Sequence, residues 1–544
     1  MLAALAPIAA QAADGGDAAL GALARARLAE DAGDPGQALA ALTAVSSLVP
    51  DLPGLRGRML EQAIEAGDLE SARSAAMLLW AKGDRRFDAQ LVLVTDALRR
   101  SDWKAARDYV AGRTDRAGGD AVARLVTPPL NGWIAVGMRE KLPERALLDT
   151  GGRAAPQPAF QLEAALVQLA AGRKNDAAAL ADKVTLTDRT SQLVAMRLAA
   201  TLDKAGEKDA AKRLRERVAL TAGEREDPLL LLPDQVVSGP RGGAAHWFAL
   251  LADGFARTPN SNPKIPLLFA RVAYWLDAGD WQARSALVEA LDANDRKRDA
   301  LALLQGGRAP LPPVLAMRQA EMLADDGKAV EAVALAEKAV AADKPGRILL
   351  VRYADLARRS DDPRAADRAY ARLEADLGDN DFDKALHGSI LIARAELLLQ
   401  ADDWDAAETL LAKAIALRPN DPNVLNFVGY SSIERRKNVD KSLEQIEAAW
   451  AQDPQSAAIT DSLGWAYFLT GKPGEAVPLL EKAQAGDPAN AVIVEHLGDA
   501  YWQAGRRFQA RYTWRAAALL AEADMATRIE SKLRDGLTPA TTAP

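Results

Sequence analysis

The side chains most used in acid–base, nucleophilic and metal chemistry are scarce in this chain of 544 residues, which holds three histidines (His246, His387 and His496) and no cysteine. Only His496 has carboxylates placed to work with it. Asp499 lies one helical turn further on, and Asp461 about one structural period earlier. An imidazole between carboxylates is a general acid–base arrangement. The reading favoured here is plainer: the three residues form polar contacts between consecutive helices or line a wet groove. No histidine stands in an H-E-x-x-H or comparable ligand spacing, and without cysteine there is no disulfide, thiolate zinc site or cysteine-linked lipid anchor. There is no G-x-S-x-G elbow, Gly471-Lys472 runs into Pro473 in place of a phosphate loop, and Gly239–Gly243 has no adjoining strand to make it a nucleotide cradle. The expectation is a non-enzyme with no metal and no cofactor. An enzyme with an unrecognised site near 226–262 is an alternative that no motif supports.

The elements that position these residues are read from repetition. Gly33-Asp34-Pro35-Gly36-Gln37-Ala38, Gly67-Asp68-Leu69-Glu70-Ser71-Ala72 and Ser101-Asp102-Trp103-Lys104-Ala105-Ala106 recur at intervals of 34 residues. A fixed period of that size marks stacked helix-turn-helix units, each too small to bury its own apolar face. Aromatics make up only 5% of the chain and small residues abound, as suits close-packed helices. The fold class expected is all-α, an α-solenoid of stacked antiparallel helix pairs in two arrays.

Near the far end Leu463-Gly464-Trp465-Ala466-Tyr467 is answered by Leu497-Gly498-Asp499-Ala500-Tyr501. Gly464 and Gly498, with Ala476 and Ala510 on the second helices, allow close approach, and Tyr467 and Tyr501 fill the space beside them. These residues resemble the tetratricopeptide repeat family, whose units carry Leu and Gly at the seventh and eighth positions, Tyr at the eleventh, Ala at the twentieth and twenty-seventh, and Pro at the thirty-second. Residues 457–490 match through Leu463, Gly464, Tyr467, Ala476, Ala483 and Pro488; residues 491–524 match through Leu497, Gly498, Tyr501, Ala510 and Ala517. The unit at 422–456 matches less fully and contributes Gly429.

The resemblance implies that the first helix of each unit lines a concave face. Carried over position by position, the partner-binding residues are Asn423, Asn426, Tyr430 and Ile433, then Asp461, Trp465 and Phe468, then Glu495, Asp499 and Trp502. Rings bordered by amides and carboxylates suit a peptide groove. Two placements stand for Trp465 and Trp502, in the groove or packed on the following unit. Trp103, Trp281 and Trp404 each follow an Asp in a turn and are expected to wedge between units; Trp514 is expected in the core. The Lys and Asn clamp with which some members hold a terminal carboxylate is absent, so a neutral or basic segment, or a sugar chain stacked on the rings, fits better.

The net charge of −7 is spread over both signs with no basic stripe, which argues against nucleic acid, and no stretch is long and apolar enough for a transmembrane segment. Residues 1–13 read as a signal-peptide-like leader ending in Ala10-Gln11-Ala12, without the usual positive start. The organisation expected is a leader (1–13), an N-terminal helical array (14–225), an irregular Pro/Gly-containing connector (226–262), central degenerate repeats (263–387), a C-terminal array (388–524), and a helix end with a disordered tail from Thr538 (525–544). The function expected is a scaffold or adaptor that binds a protein or peptide in the concave groove of its C-terminal repeats, in the periplasm or exported. The alternatives are a periplasmic scaffold for polysaccharide secretion or peptidoglycan and outer-membrane assembly, and a cytoplasmic location.

Overall fold

A computed structural model describes residues 6–112, 121–149, 156–222, 227–306, 310–342, 345–360 and 362–543. Among the described residues every regular element is helical. The recurring phrase explains why. Asp34, Asp68 and Asp102 each cap a second helix, accepting the backbone N–H of Gln37 (2.9 Å), Ser71 (3.1 Å) and Ala105 (3.0 Å). A cap of this kind contributes about 1 kcal/mol. The residue before each cap turns the chain with positive φ, 68° at Gly33, 80° at Gly67 and 58° at Ser101. Four residues after the cap, Ala38, Ala72 and Ala106 are fully buried against the preceding helix. The phrase is therefore a joint made of a turn, a cap and a small contact residue. Asp280, Asp362 and Asp403 repeat the cap on Ala283, Ala365 and Ala406. Trp103 begins its helix directly after the cap and lays its ring on Gly137, where a Cβ would come within 2.4 Å of it.

The chain divides into two compact units, Met1–Leu356 and Ala357–Pro544. This differs from the breaks expected at 226–262 and 387. In the first unit the expected connector is core: after a short turn of 3-10 helix at Pro228–Leu231, Pro240–Ala256 is an α-helix whose residues Gly243 to Ala252 are all buried. Pro240 stands in the first turn, where its missing N–H costs nothing. Gly243 does not break the helix; it makes room for the ring of Trp133, 2.1 Å from where its Cβ would stand. Residues that punctuate chains elsewhere here start a helix and admit a tryptophan.

This helix and the next, Lys264–Leu276, close over the earlier first helices. Trp247 Nε1 donates to the Leu125 carbonyl (2.9 Å), Arg271 Nη2 to that of Glu65 (2.7 Å) and Trp275 Nε1 to that of Gly67 (3.1 Å). Helix Phe87–Arg99, which a one-sided array would leave half open, is buried at every position from Ala89 to Leu98. Ala121–Gly137 and Lys297–Gln305 are further helices of this unit. The leader falls partly outside the described residues; from Ala6 the chain is helical through to Asp31.

The second unit holds the helix pairs Asp381–Gln400 with Trp404–Leu417, Pro422–Glu434 with Val439–Gln452, Ala457–Leu469 with Pro473–Gly486, and Ala491–Gln503 with Arg507–Ala518, followed by a single helix Ala523–Asp535.

Candidate functional site

The frame of the second unit is set by close approach. A Cβ on Gly429 would lie 2.7 Å from Ile446, one on Gly464 2.7 Å from Leu480, and one on Gly498 2.3 Å from the ring of Trp514. Leu463, Leu497, Ala476 and Ala510 are buried beside them. Tyr467 and Tyr501 cross to the second helix of the preceding unit and donate to Glu447 (2.9 Å) and Glu481 (2.8 Å). Burial and the neighbouring carboxylate push both phenols up to about 12, so they stay protonated and keep donating.

On the inner face, Asn423 is exposed and Asn426, Tyr430 and Trp502 are half-buried. Asp461, Trp465, Glu495 and Asp499 do not line an open groove but are buried; Phe468, also buried, borders the cavity described below. The fifth and ninth positions of a first helix face the next first helix along. Asp461 thus meets His496 Nδ1 at 3.0 Å, and the Trp465 ring stacks between Phe468 (4.4 Å between centroids) and His496 (3.9 Å). Trp465 is core, with no exposed surface. At the last pair the helix Ala523–Asp535 takes the place of a following unit. Arg528 donates to Glu495 through Nε (2.9 Å) and Nη2 (2.7 Å), and Lys532 Nζ, wholly buried, reaches Glu495 (2.6 Å) and Asp499 (2.7 Å). Burial alone would raise the pKa of Glu495, but Arg528 and Lys532 hold it below the usual carboxylate range. Trp514 Nε1 also donates to Asp499, at 2.8 Å.

The segment after that helix returns to the groove. Trp502 covers Gly536, leaving 2.2 Å to where its Cβ would stand, while Arg507 lies over the same ring at 3.9 Å from its centroid. Leu537 and Ala543 join the apolar cluster of Trp465 and Phe468, and the Ala543 N–H donates to Asp499 Oδ2 at 2.9 Å. Between these anchors Thr541 and Thr542 donate to the Thr538 carbonyl (3.0 and 2.9 Å), closing a turn. The tail expected to be disordered from Thr538 is thus seated as far as Ala543; Pro544 lies outside the described residues. A cavity of ≈ 820 Å³ remains beside it, with Arg435, Phe468, Leu469, Trp502 and Gln503 on one wall and Leu537, Thr538, Pro539 and Ala543 on the other.

Helix pairs at this period, with Gly, Ala and Tyr at these contacts, decide the fold. It is an all-α array of stacked antiparallel helix pairs that resembles tetratricopeptide repeats. No family model matches the chain, and neither does any curated protein. Among solved structures it is similar to yeast Tom70, at 14% identity over 96% of this chain and 98% of that one, with a TM-score of 0.35. It is also similar to the APC/C hetero-tetramer Cut9-Hcn1, at 15% identity over 94% and 95% with a TM-score of 0.34. A third is a tetratricopeptide repeat protein from Parabacteroides merdae, at 18% identity over 46% of this chain and 91% of that one, with a TM-score of 0.34.

A second polar cluster lies in the core of the first compact unit. Trp133 Nε1 donates to Glu163 Oε1 (2.7 Å), Arg197 pairs with Asp280 (2.7 Å), and His246 Nδ1 meets Gln282 (3.1 Å) with its Nε2 3.9 Å from Glu163 Oε2. Burial raises Glu163 to about 8 and lowers His246 to about 3, so both are neutral near pH 7. Neither side chain exposes any surface, so a substrate cannot reach the pair. Among the described residues no three His, Asp or Glu side chains are grouped to hold a metal ion.

Reading the sequence alone misses Arg528, Lys532, Leu537 and Ala543. One signal was available: Arg528 and Lys532 are four apart on one helical face, the spacing of Glu495 and Asp499.

Proposed function

We propose that the protein is a non-catalytic scaffold that binds a peptide segment of a partner protein in the inner trough of its second unit, over Phe468, Leu469, Trp502 and Gln503. One observation carries the reading: the trough already accommodates a peptide, residues 536–543, by an apolar cluster and a hydrogen bond from main chain to Asp499. Such a mixture of buried rings and main-chain recognition is how grooves hold short segments. Sugar stacking, and with it a role in polysaccharide or peptidoglycan assembly, is less well supported, because Trp465 offers no exposed face and Trp502 is covered by Gly536 and Arg507.

The test is affinity capture with wild type and with a Leu469→Glu/Gln503→Glu variant, which charges the cavity wall and leaves the buried rings intact. Proteins recovered by the wild type and lost by the variant are expected. Identical recovery removes the groove from the account. We also propose export to the periplasm or cell envelope, on the strength of the uncharged stretch before Asp14 and its Ala10-Gln11-Ala12; a reporter active only after export, fused behind residue 31, tests it, and a silent reporter contradicts it.

A further inference from the structure

The segment seated in the trough has a definite chemistry. From Leu537 to Ala543 it carries no charge, and it reads Leu-Thr-Pro-Ala-Thr-Thr-Ala. It is held at two points. Leu537 and Ala543 lie in the Trp465–Phe468 cluster, and the Ala543 N–H is received by a buried carboxylate, Asp499. Between them the residues Thr538 to Ala540 are exposed, and the turn is closed by bonds within the segment, including Thr538 N to Thr541 Oγ1 at 3.0 Å. Two anchors around a self-contained loop have the form of a latch. The acceptor is shared: Asp499 Oδ2 receives both Lys532 Nζ (2.7 Å) and the Ala543 N–H (2.9 Å).

Resting on the reading of this trough as a peptide site, we infer that residues 537–543 are an internal stand-in for the partner: the partner offers an uncharged Thr/Pro/Ala turn flanked by two small or aliphatic anchors, and binds only as this segment leaves. The charges around the trough agree. Asp499 is already matched by Lys532, so a further cation is not called for and a carboxylate would be repelled, while a main-chain N–H adds a hydrogen bond at no cost in charge. Competition between the two segments means that the apparent affinity of the intact chain is reduced by the fraction of time the latch is open.

The test uses a fluorescent peptide of residues 536–544 with both ends blocked, titrated by anisotropy into three proteins: the full chain, the chain ending at Gly536, and a full-length Leu537→Asp/Ala543→Pro variant that loses both anchors and leaves the residues within the helices unaltered. The two opened proteins are expected to bind at least about tenfold more tightly than the full chain, and a peptide with Pro in place of Ala543, which has no N–H to give, is expected to lose about tenfold. Equal binding by all three proteins, no binding by an opened protein whose circular dichroism is unchanged, or undiminished binding of the Pro peptide would overturn the inference. So would a full-length dimer that the truncation dissolves, since the occupant would then be a second copy. If the opened proteins refuse this peptide yet lose their captured partners on Leu469→Glu/Gln503→Glu substitution, the stand-in is wrong and the groove reading survives.

Discussion

Lys532 Nζ donates to Glu495 Oε1 at 2.6 Å with neither side chain exposed to solvent. Glu495 sits at a position that lines the concave face in repeats of this kind, and the lysine that covers it comes from the single helix after the last pair. The inner positions of the final unit are thereby converted from a binding surface into a buried ion cluster that fixes Ala523–Asp535, the helix that carries the latch. Replacing one partner of such a cluster leaves an uncompensated charge in the interior.

Lys532→Met is expected to destabilise the second unit by roughly 3–5 kcal/mol, because Glu495 and Asp499 lose the ammonium between them. Urea denaturation followed by tryptophan fluorescence measures this. Adding Asp499→Asn to Lys532→Met should recover part of the loss; a purely additive double variant would mean that the lysine and the aspartate are not coupled.

Close approach gives a graded prediction. Gly498→Ala meets the Trp514 ring and is expected to cost about 1–3 kcal/mol, at the upper end because the ring is rigid and buried, while Gly464→Ala meets the end of Leu480, which rotates away more readily. Gly474→Ala, in a helix with nothing within 4 Å, should stabilise by up to about 1 kcal/mol. Thermal unfolding of the three variants checks the order, and equal losses at 498 and 474 would contradict it.

The two tryptophans whose placement the sequence left open should separate by phenotype. Trp465→Ala empties a core site and is expected to cost roughly 3–5 kcal/mol. Trp502→Ala removes a half-buried ring that leans on Trp514 (5.2 Å between centroids), so it is expected to cost less than Trp465→Ala and to release Gly536 and the residues after it, seen as faster proteolysis there. The reverse pattern would return Trp465 to the groove.

The buried pair in the first unit makes stability depend on pH in a definite direction. Glu163 is raised from 4.5 to about 8, so the folded state holds a proton that the unfolded chain has lost, and its contribution, complete below pH 4.5, is lost as pH rises to about 8. His246 is lowered from 6.5 to about 3, so its contribution is complete above pH 6.5 and is lost as pH falls towards 3. The two trends oppose one another between pH 4.5 and 6.5, which leaves a falling limb from 6.5 to 8 that belongs to Glu163. Glu163→Gln is expected to flatten that limb in a series of melting curves; an unaltered slope would mean that Glu163 is ionised in the fold.

Local chemistry was legible in the sequence, and distant pairing was not. The joints at Asp34, Asp68 and Asp102, and the contacts of Gly464 and Gly498, follow from residue type and a fixed period, because each is decided within one unit and its neighbour. The segment at Pro240–Ala256 reads locally as a connector because Pro and Gly punctuate chains on average; here the proline stands in a first turn and the glycine under Trp133, and a partner more than a hundred residues away is invisible to a local reading. Position within the repeat alone puts Glu495 and Asp499 on the concave face. What covers them, Lys532 and the segment ending at Ala543, carries no repeat signature.

Hydrogen–deuterium exchange of residues 537–543 in the intact chain, set against the same segment as a free peptide, tests the central claim most directly. The account predicts that exchange is slowed within this segment, at the Ala543 amide above all, and that Asp499→Asn restores it towards the free rate. Exchange in the intact chain as fast as in the free peptide would mean that the trough is empty in solution, and that nothing in this protein shows what it holds.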